Sequence, residues 1–150
     1  MRVVLQRVSS AAVRVDDAVV GEIGPGLVAL IGVDTEDVEA DAAYMAEKIA
    51  HIRLFRDDEG RMNRSVLEVG GSILAISQFT LHGDCRRGRR PSFVAAAAPE
   101  TAVPLYESVM NRLRKDYGLP VAAGIFGAHM ELSLVNDGPV TILLDSRKCF

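Results

Sequence analysis

Apolar and polar positions alternate from the second residue of the chain. In "RVVLQRV" Val3, Leu5 and Arg7 share one face, and Val4, Gln6 and Val8 share the other. A period of two predicts a β-strand, and it puts an arginine on an apolar face. "AAVRV" (Ala11–Val15) and "AVVGEI" (Ala18–Ile23) predict further strands joined by a turn at Asp16-Asp17. Gly24–Gly26, "GPG", is a turn, and the unbroken apolar run "LVALIGV" after it predicts a buried strand. The period then lengthens. Val38, Ala42, Met45, Ile49 and Ile52 recur at helical spacing, with Asp34 or Thr35 as the cap and Glu36 and Asp37 near the positive end of the dipole. A short strand at Arg53–Phe55 leads into a polar loop. Val66–Val69, Gly70-Gly71 and Ser72–Phe79 read as a hairpin. A second helix opens with Pro99, carries Leu105, Val109, Leu113 and Tyr117 on one stripe, and stops at Gly118 and Pro120.

Two or three strands between Val121 and Asp145 close the chain. Within them "NDGPV" is at odds with its surroundings. Asp-Gly between the apolar runs Met130–Val135 and Val140–Leu144 signals a hairpin. Pro139 then removes a donor at the first pairing position, so the hairpin is broken as soon as it starts. Many short strands, two helices and no βαβ repetition imply an α/β protein. Its sheet is mixed and strongly curved, with the two main helices packed on one face. No glycine-rich loop joins a strand to a helix, which disfavours a doubly wound nucleotide fold.

Composition narrows the class. A chain of 150 residues, 49% hydrophobic and 25% charged, suits one globular domain, residues 1–150. The opening lacks the apolar stretch of a signal peptide, and no run approaches a membrane span, so a cytoplasmic protein with no membrane partner is expected. Cys85 and Cys149 read as reduced thiols. His51, His82 and His129 make no metal-type spacing, so no metal and no cofactor is expected. A net charge of −3 argues against bulk electrostatic binding to nucleic acid. Arg86, Arg87, Arg89 and Arg90 nevertheless crowd around Gly88. They form either a solvated loop or a local phosphate contact, which is all that a protein gripping the end of a nucleic acid needs.

Candidate chemistry lies where "SILAISQFTL" changes character. Leu74 and Ile76 are followed on the same face by Gln78 and Thr80, and Ser77 adds a third polar group. Either the strand emerges into solvent there, or a site is built on its rigid end. Thr80 with His82 offers an acyl-transfer pair, although no third group is identified to orient the histidine.

"SQFTL" (Ser77–Leu81), "GRRPSF" (Gly88–Phe93) and "NDGPVT" (Asn136–Thr141), with the opening "MRVVLQRVSSA" and "GEIGPGL", resemble the D-aminoacyl-tRNA deacylases. The resemblance spans essentially the whole chain in order. It departs from the family pattern at "HGDC" (His82–Cys85), where an aromatic and no cysteine is the pattern, and at Arg64. It implies a homodimer with a barrel-like sheet, acting on the acceptor end of D-aminoacyl-tRNA and on glycine misattached to tRNA-Ala. Catalysis would draw on the tRNA 2′-hydroxyl rather than on a protein nucleophile, around Ser77, Gln78, Phe79 and Thr80, with backbone N–H groups near Phe79 and Thr80 receiving the oxyanion. Gly138 and Pro139 would form a cis pair that reaches into the partner subunit and rejects L-substrates. Arg7 would hold the active-site loops, unless it merely pairs with a nearby carboxylate. Phe126 would stack on adenine, unless it is core. Two other readings stay open: a non-catalytic RNA-end-binding module, and a small-molecule hydrolase using Thr80 and His82.

Overall fold

The opening alternation runs further than Val8. In the computed structural model, which describes residues 1–150, β1 (Arg2–Val15) is one strand, so "AAVRV" is its second half and not a strand of its own. There follow β2 (Ala18–Ile23), β3 (Gly26–Gly32), α1 (Glu39–His51), β4 (Phe55–Arg56), β5 (Met62–Arg64) and β6 (Ser72–Ser77). After β6 come α2 (Pro99–Lys115), β7 (Val121–Ala123) and β8 (Glu131–Asp145). The turn into β2 has Asp16 and Asp17 at φ 47° and 63°, the paired positive values of a tight hairpin turn.

β1 organises the sheet because both its edges are used. One edge pairs antiparallel with β3 along Arg2–Val8 and with β2 along Ala11–Val15. The other edge pairs with β8 from end to end. Here the expected hairpin at Asp137-Gly138 is overturned. Leu132–Val135 and Thr141–Leu144 run in the same direction along β1, and Asp137–Val140 bulge out opposite Arg7. An Asp-Gly signal is local; β1 offered both runs a continuous partner, and that long-range pairing won.

β6 joins β3 in parallel, Gly26 opposite Ser72 through Ile31 opposite Ser77, and β7 joins β6 in parallel. The expected hairpin of Val66–Val69 with Ser72–Phe79 is therefore not formed. Val66–Val69 lie in a turn, closed by Ser65 N–H to Glu68 Oε2 at 2.7 Å and Glu68 N–H to Ser65 Oγ at 3.3 Å. The βαβ repetition judged absent is present twice, as β3–α1–β6 and β6–α2–β7. The loop around the small β4–β5 hairpin hid the first of these from the sequence pattern.

The sheet rolls up almost to closure. β2 returns toward β7 closely enough that a Cβ on Gly21 would lie 2.7 Å from the Ala123 carbonyl oxygen, so only glycine fits there. Two cores result. Val3, Leu5, Leu27, Ile31 and Ile73 pack on one face against Met45 and Ile49 of α1 and Val109 and Leu113 of α2. Val8, Val13, Val28, Leu74 and Ile76 fill the inside of the roll. The helices thus cover one face, as the hydrophobic pattern implied.

Neither Asp34 nor Thr35 caps α1. The helix begins at Glu39, and the Asp41 carboxylate accepts from the Val38 N–H at 2.9 Å. Asp37 is instead buried, accepting from the Met1 ammonium at 2.5 Å and from the Asp34 N–H at 2.6 Å. Val38 leaves the apolar stripe and is 59% exposed, whereas Ile49 is fully buried. Ile49→Ala is therefore expected to cost roughly 2–5 kcal/mol, and Val38→Ala almost nothing. Urea unfolding of the two variants measures the difference.

Candidate active site

Parallel strands that end together leave a crevice beyond their carboxyl ends. β3, β6 and β7 end on one side of the sheet, and a pocket of about 290 Å³ opens there, lined by Ile31, Val33, Ser77, Gln78, Phe79, Tyr106 and the Phe126–Met130 segment. β6 leaves the sheet at Ser77. The Gln78 N–H still bonds the Ile31 carbonyl at 2.7 Å, and the chain then tightens into a 3-10 turn, Phe79–His82. The N–H groups of Phe79 and Thr80 open this turn, so no carbonyl within it accepts from them. Phe79 lines the pocket, and Thr80 follows it outside the lining.

The Gln78 amide donates to the Thr80 hydroxyl oxygen. Thr80 is exposed, and His82 is buried with Nδ1 3.4 Å from the Asp34 carboxylate. The Thr80–His82 pair that a protein nucleophile would need is not hydrogen-bonded. Tyr106 forms part of the pocket wall; its hydroxyl donates to the Ala75 carbonyl at 2.9 Å, and burial pushes its pKa up to about 12. Phe126 lies 6.2 Å from the Tyr106 ring and is 36% exposed, so it lines the pocket rather than filling a core. No three His, Cys, Asp or Glu side chains converge as a metal ion would need.

Arg7 and the bulge of β8 form a second assembly. Arg7 is 4% exposed. Its Nη1 donates to the Leu54 carbonyl at 2.5 Å, and its Nε donates to the Asp137 carbonyl at 3.2 Å and lies 3.1 Å from the Asp137 carboxylate. The expected carboxylate partner is Asp137, whose carbonyl also accepts from the guanidinium. The Gly138–Pro139 peptide is cis. Gly138 has φ +128°, and a Cβ there would sit 3.0 Å from Arg7 Nη2 and 2.8 Å from Val140 Cγ2. The turn is exposed and borders a hollow with Arg7, Phe55 and Arg56. Within the chain, neither Arg7, Gly138 nor Pro139 lines the pocket of Ser77, Gln78, Phe79 and Phe126.

Comparison with known proteins gives this geometry its context. A family profile described as D-Tyr-tRNA(Tyr) deacylase matches residues 4–145. The chain belongs to this family. Proteins named D-aminoacyl-tRNA deacylase are similar over nearly the whole length. The one from Desulforudis audaxviator is 60% identical over 150 residues, covering 100% of both chains. That of Symbiobacterium thermophilum is 61% identical, covering 100% of this chain and 99% of its own. That of Thermus aquaticus is 57% identical over 146 residues, covering 97% and 95%. Among solved structures, a c-Myc DNA Unwinding Element Binding Protein superposes with a TM-score of 0.91 at 38% identity, covering 97% of this chain and 98% of its own. A probable eukaryotic D-amino acid tRNA deacylase shares the fold, with a TM-score of 0.82 at 21% identity over 95% and 97%.

In this deacylase-family chain the arginine loop is a third assembly, apart from the pocket wall. Arg86 is committed within it: its guanidinium donates to the two Asp84 oxygens at 2.8 and 2.7 Å, and its N–H donates at 3.0 Å. Arg87, Arg89 and Arg90 are exposed and make no ion pair. Cys85 and Cys149 are free and exposed. Sequence reasoning missed Tyr106 and His129 as pocket residues. Tyr106 reads as one more apolar helix position, and His129 carries no spacing that ties it to Ser77.

The Arg86 hydrogen bonds hold the Asp84 pKa down to about 2. A depressed carboxylate stabilises the fold above its unfolded pKa, and the contribution fades as pH falls through the folded value. An NMR titration of the Asp84 carboxyl carbon is expected to give a midpoint near 2, and Arg86→Ala to return it toward the ordinary aspartate value near ~3.9.

Proposed function

We propose that the chain hydrolyses the ester between a D-amino acid and the terminal ribose of tRNA, releasing the free D-amino acid and tRNA, and removes glycine misattached to tRNA-Ala by the same route. Family membership and relatives 57–61% identical support the deacylase activity. The observation that carries the mechanism is the pair of backbone donors at Phe79 and Thr80, which open the turn beside a pocket with no hydrogen-bonded nucleophile–base pair. Water attacks the ester carbonyl, and the two N–H groups receive the charge that develops on its oxygen. Loss of one such donor typically costs ~10²–10³ in rate. The ribose 2′-hydroxyl, next to the scissile 3′-oxygen, assists the proton transfers. Ser77 and Gln78 hold the turn, and Phe126 stacks on the terminal adenine. Arg87, Arg89 and Arg90, with Arg86 as their anchor, meet tRNA phosphates.

Thr80→Ala is expected to keep substantial turnover, because the threonine hydroxyl helps to hold the turn but is not the nucleophile. D-aminoacyl-tRNA ending in 2′-deoxyadenosine is expected to lose about 10²-fold or more, the scale of proton-transfer assistance. Single-turnover ester hydrolysis measures both. A dead Thr80→Ala that leaves 2′-deoxy cleavage intact would restore a threonine nucleophile.

Chiral selectivity, in this reading, comes from a homodimer working in the cytosol. The outer edge of β8 is unpaired and exposes Val135 and Leu143, a surface suited to a second copy. The Gly138–Pro139 turn protrudes from this same strand. Placed at the partner's pocket, it takes the space an L side chain needs, while a D side chain points away and glycine has none to reject. Exclusion serves better than a fitted pocket, since D-substrates vary in size.

Gly138→Ala pushes the turn off Arg7 and Val140. It is expected to raise L-aminoacyl-tRNA hydrolysis by about tenfold or more, equivalent to ~1.4 kcal/mol of lost discrimination, with D-activity less affected. Parallel rate measurements on D- and L-esters test it; continued rejection of the L-ester would place the filter elsewhere.

A further inference from the structure

Beyond the pocket rim, the loop after β6 carries an aromatic pair that the chemistry above leaves unused. Phe79 is 57% exposed although it adjoins the pocket. Phe93 meets it edge to face, with ring centroids 5.1 Å apart and planes at 70°. The Phe93 ring rests on Gly83, where an added Cβ would come within 3.0 Å of Cε1. Asp84 and Ser92 exchange backbone hydrogen bonds at 2.7 and 2.9 Å, which closes the arginine loop and fixes Phe93 one residue beyond its neck. Val94 next to it is 86% exposed. The closed loop presents Arg87, Arg89 and Arg90, none of them paired with a carboxylate.

An exposed ring, backed by a half-buried one and followed by unpaired cations, is the complement of a single-stranded nucleotide. The rings supply a stacking surface for a base of any identity, and the guanidiniums supply its phosphate contact. We infer that Phe79 and Phe93 form a stacking platform for the unpaired nucleotide that precedes the terminal adenosine of tRNA. The inference rests on the deacylase reading for the identity of the nucleic acid. The terminal adenosine occupies the pocket beside Phe126. Phe79 sits on the rim, so the preceding base emerges against it and against Phe93, and its phosphate turns toward Arg87–Arg90. The platform lengthens the grip on the acceptor end without reading its sequence.

Two substrates separate this site from the pocket: D-aminoacyl-tRNA, and D-aminoacyl-adenosine, which lacks the preceding nucleotide. Phe93→Ala is expected to lower kcat/KM on the tRNA ester by about tenfold, the lower part of the range for losing one base stack, and to leave the adenosine ester unchanged. Phe93→Tyr keeps a stacking face and is expected to restore the tRNA rate. The affinity of uncharged tRNA should fall by the same factor in Phe93→Ala, with its salt dependence unaltered because the ring carries no charge. Equal losses on both esters would assign Phe93 to the pocket or the dimer contact and overturn the platform. No loss of tRNA affinity would overturn it also. A wild-type protein that cleaves neither ester, yet binds tRNA through Phe93, would leave the platform standing and remove the deacylase reading.

Discussion

A guanidinium taken out of water must find acceptors, and the one at position 7 finds them in segments far apart in the chain. Arg7 belongs to β1, Leu54 follows α1, and Asp137 belongs to the bulge of β8. Each contact satisfies charge that burial would otherwise make prohibitive, although the Asp137 carboxylate itself faces solvent. The contacts also set geometry. β8 cannot run straight past position 7, because Asp137 is drawn to the guanidinium and Asp137–Val140 are displaced from the ladder. The protruding turn is thus the backbone's answer to a buried charge, and its shape is as fixed as the charge is buried.

How much of this was legible in the sequence depends on the range of each interaction. The start of β1 and the stripe of α2 were readable, because periodicity within one element decides which face is buried. The parallel partnership of β6 with β3 was not. It joins residues about forty-five positions apart, and the local signal of Gly70-Gly71 pointed to a hairpin that the sheet does not contain. Asp137-Gly138 misled for the same reason, since a turn signal cannot show that a long neighbouring strand is waiting to pair with both of its flanks. At the site, Ser77 and Gln78 stood out because polar residues interrupt a core strand. Tyr106 did not, since its place in the pocket wall depends on how α2 crosses the ends of the strands.

Parallel strands and a rolled sheet together account for the kind of site this is. Closure of β2 onto β7 holds the ends of β3, β6 and β7 in fixed relation, and the crevice beyond them inherits that rigidity. The mechanism proposed above, by orientation and oriented dipoles, needs such a frame, because donors that must first rearrange lose much of their effect. Gln78 shows the economy of the arrangement: its backbone continues the bond to Ile31 while its side chain restrains Thr80.

The pocket wall also bears on how a turnover ends. Its lining contains no arginine, lysine, aspartate or glutamate, and Tyr106 keeps its proton until about pH 12. Hydrolysis turns an ester without formal charge at its carbonyl into a carboxylate. If the ester is cleaved in this pocket as proposed, the new anion meets no arginine or lysine side chain from the wall, while bulk water solvates it well. An apolar lining that takes up the ester, as proposed, is a poorer environment for the acid it becomes, which favours release of the product to water.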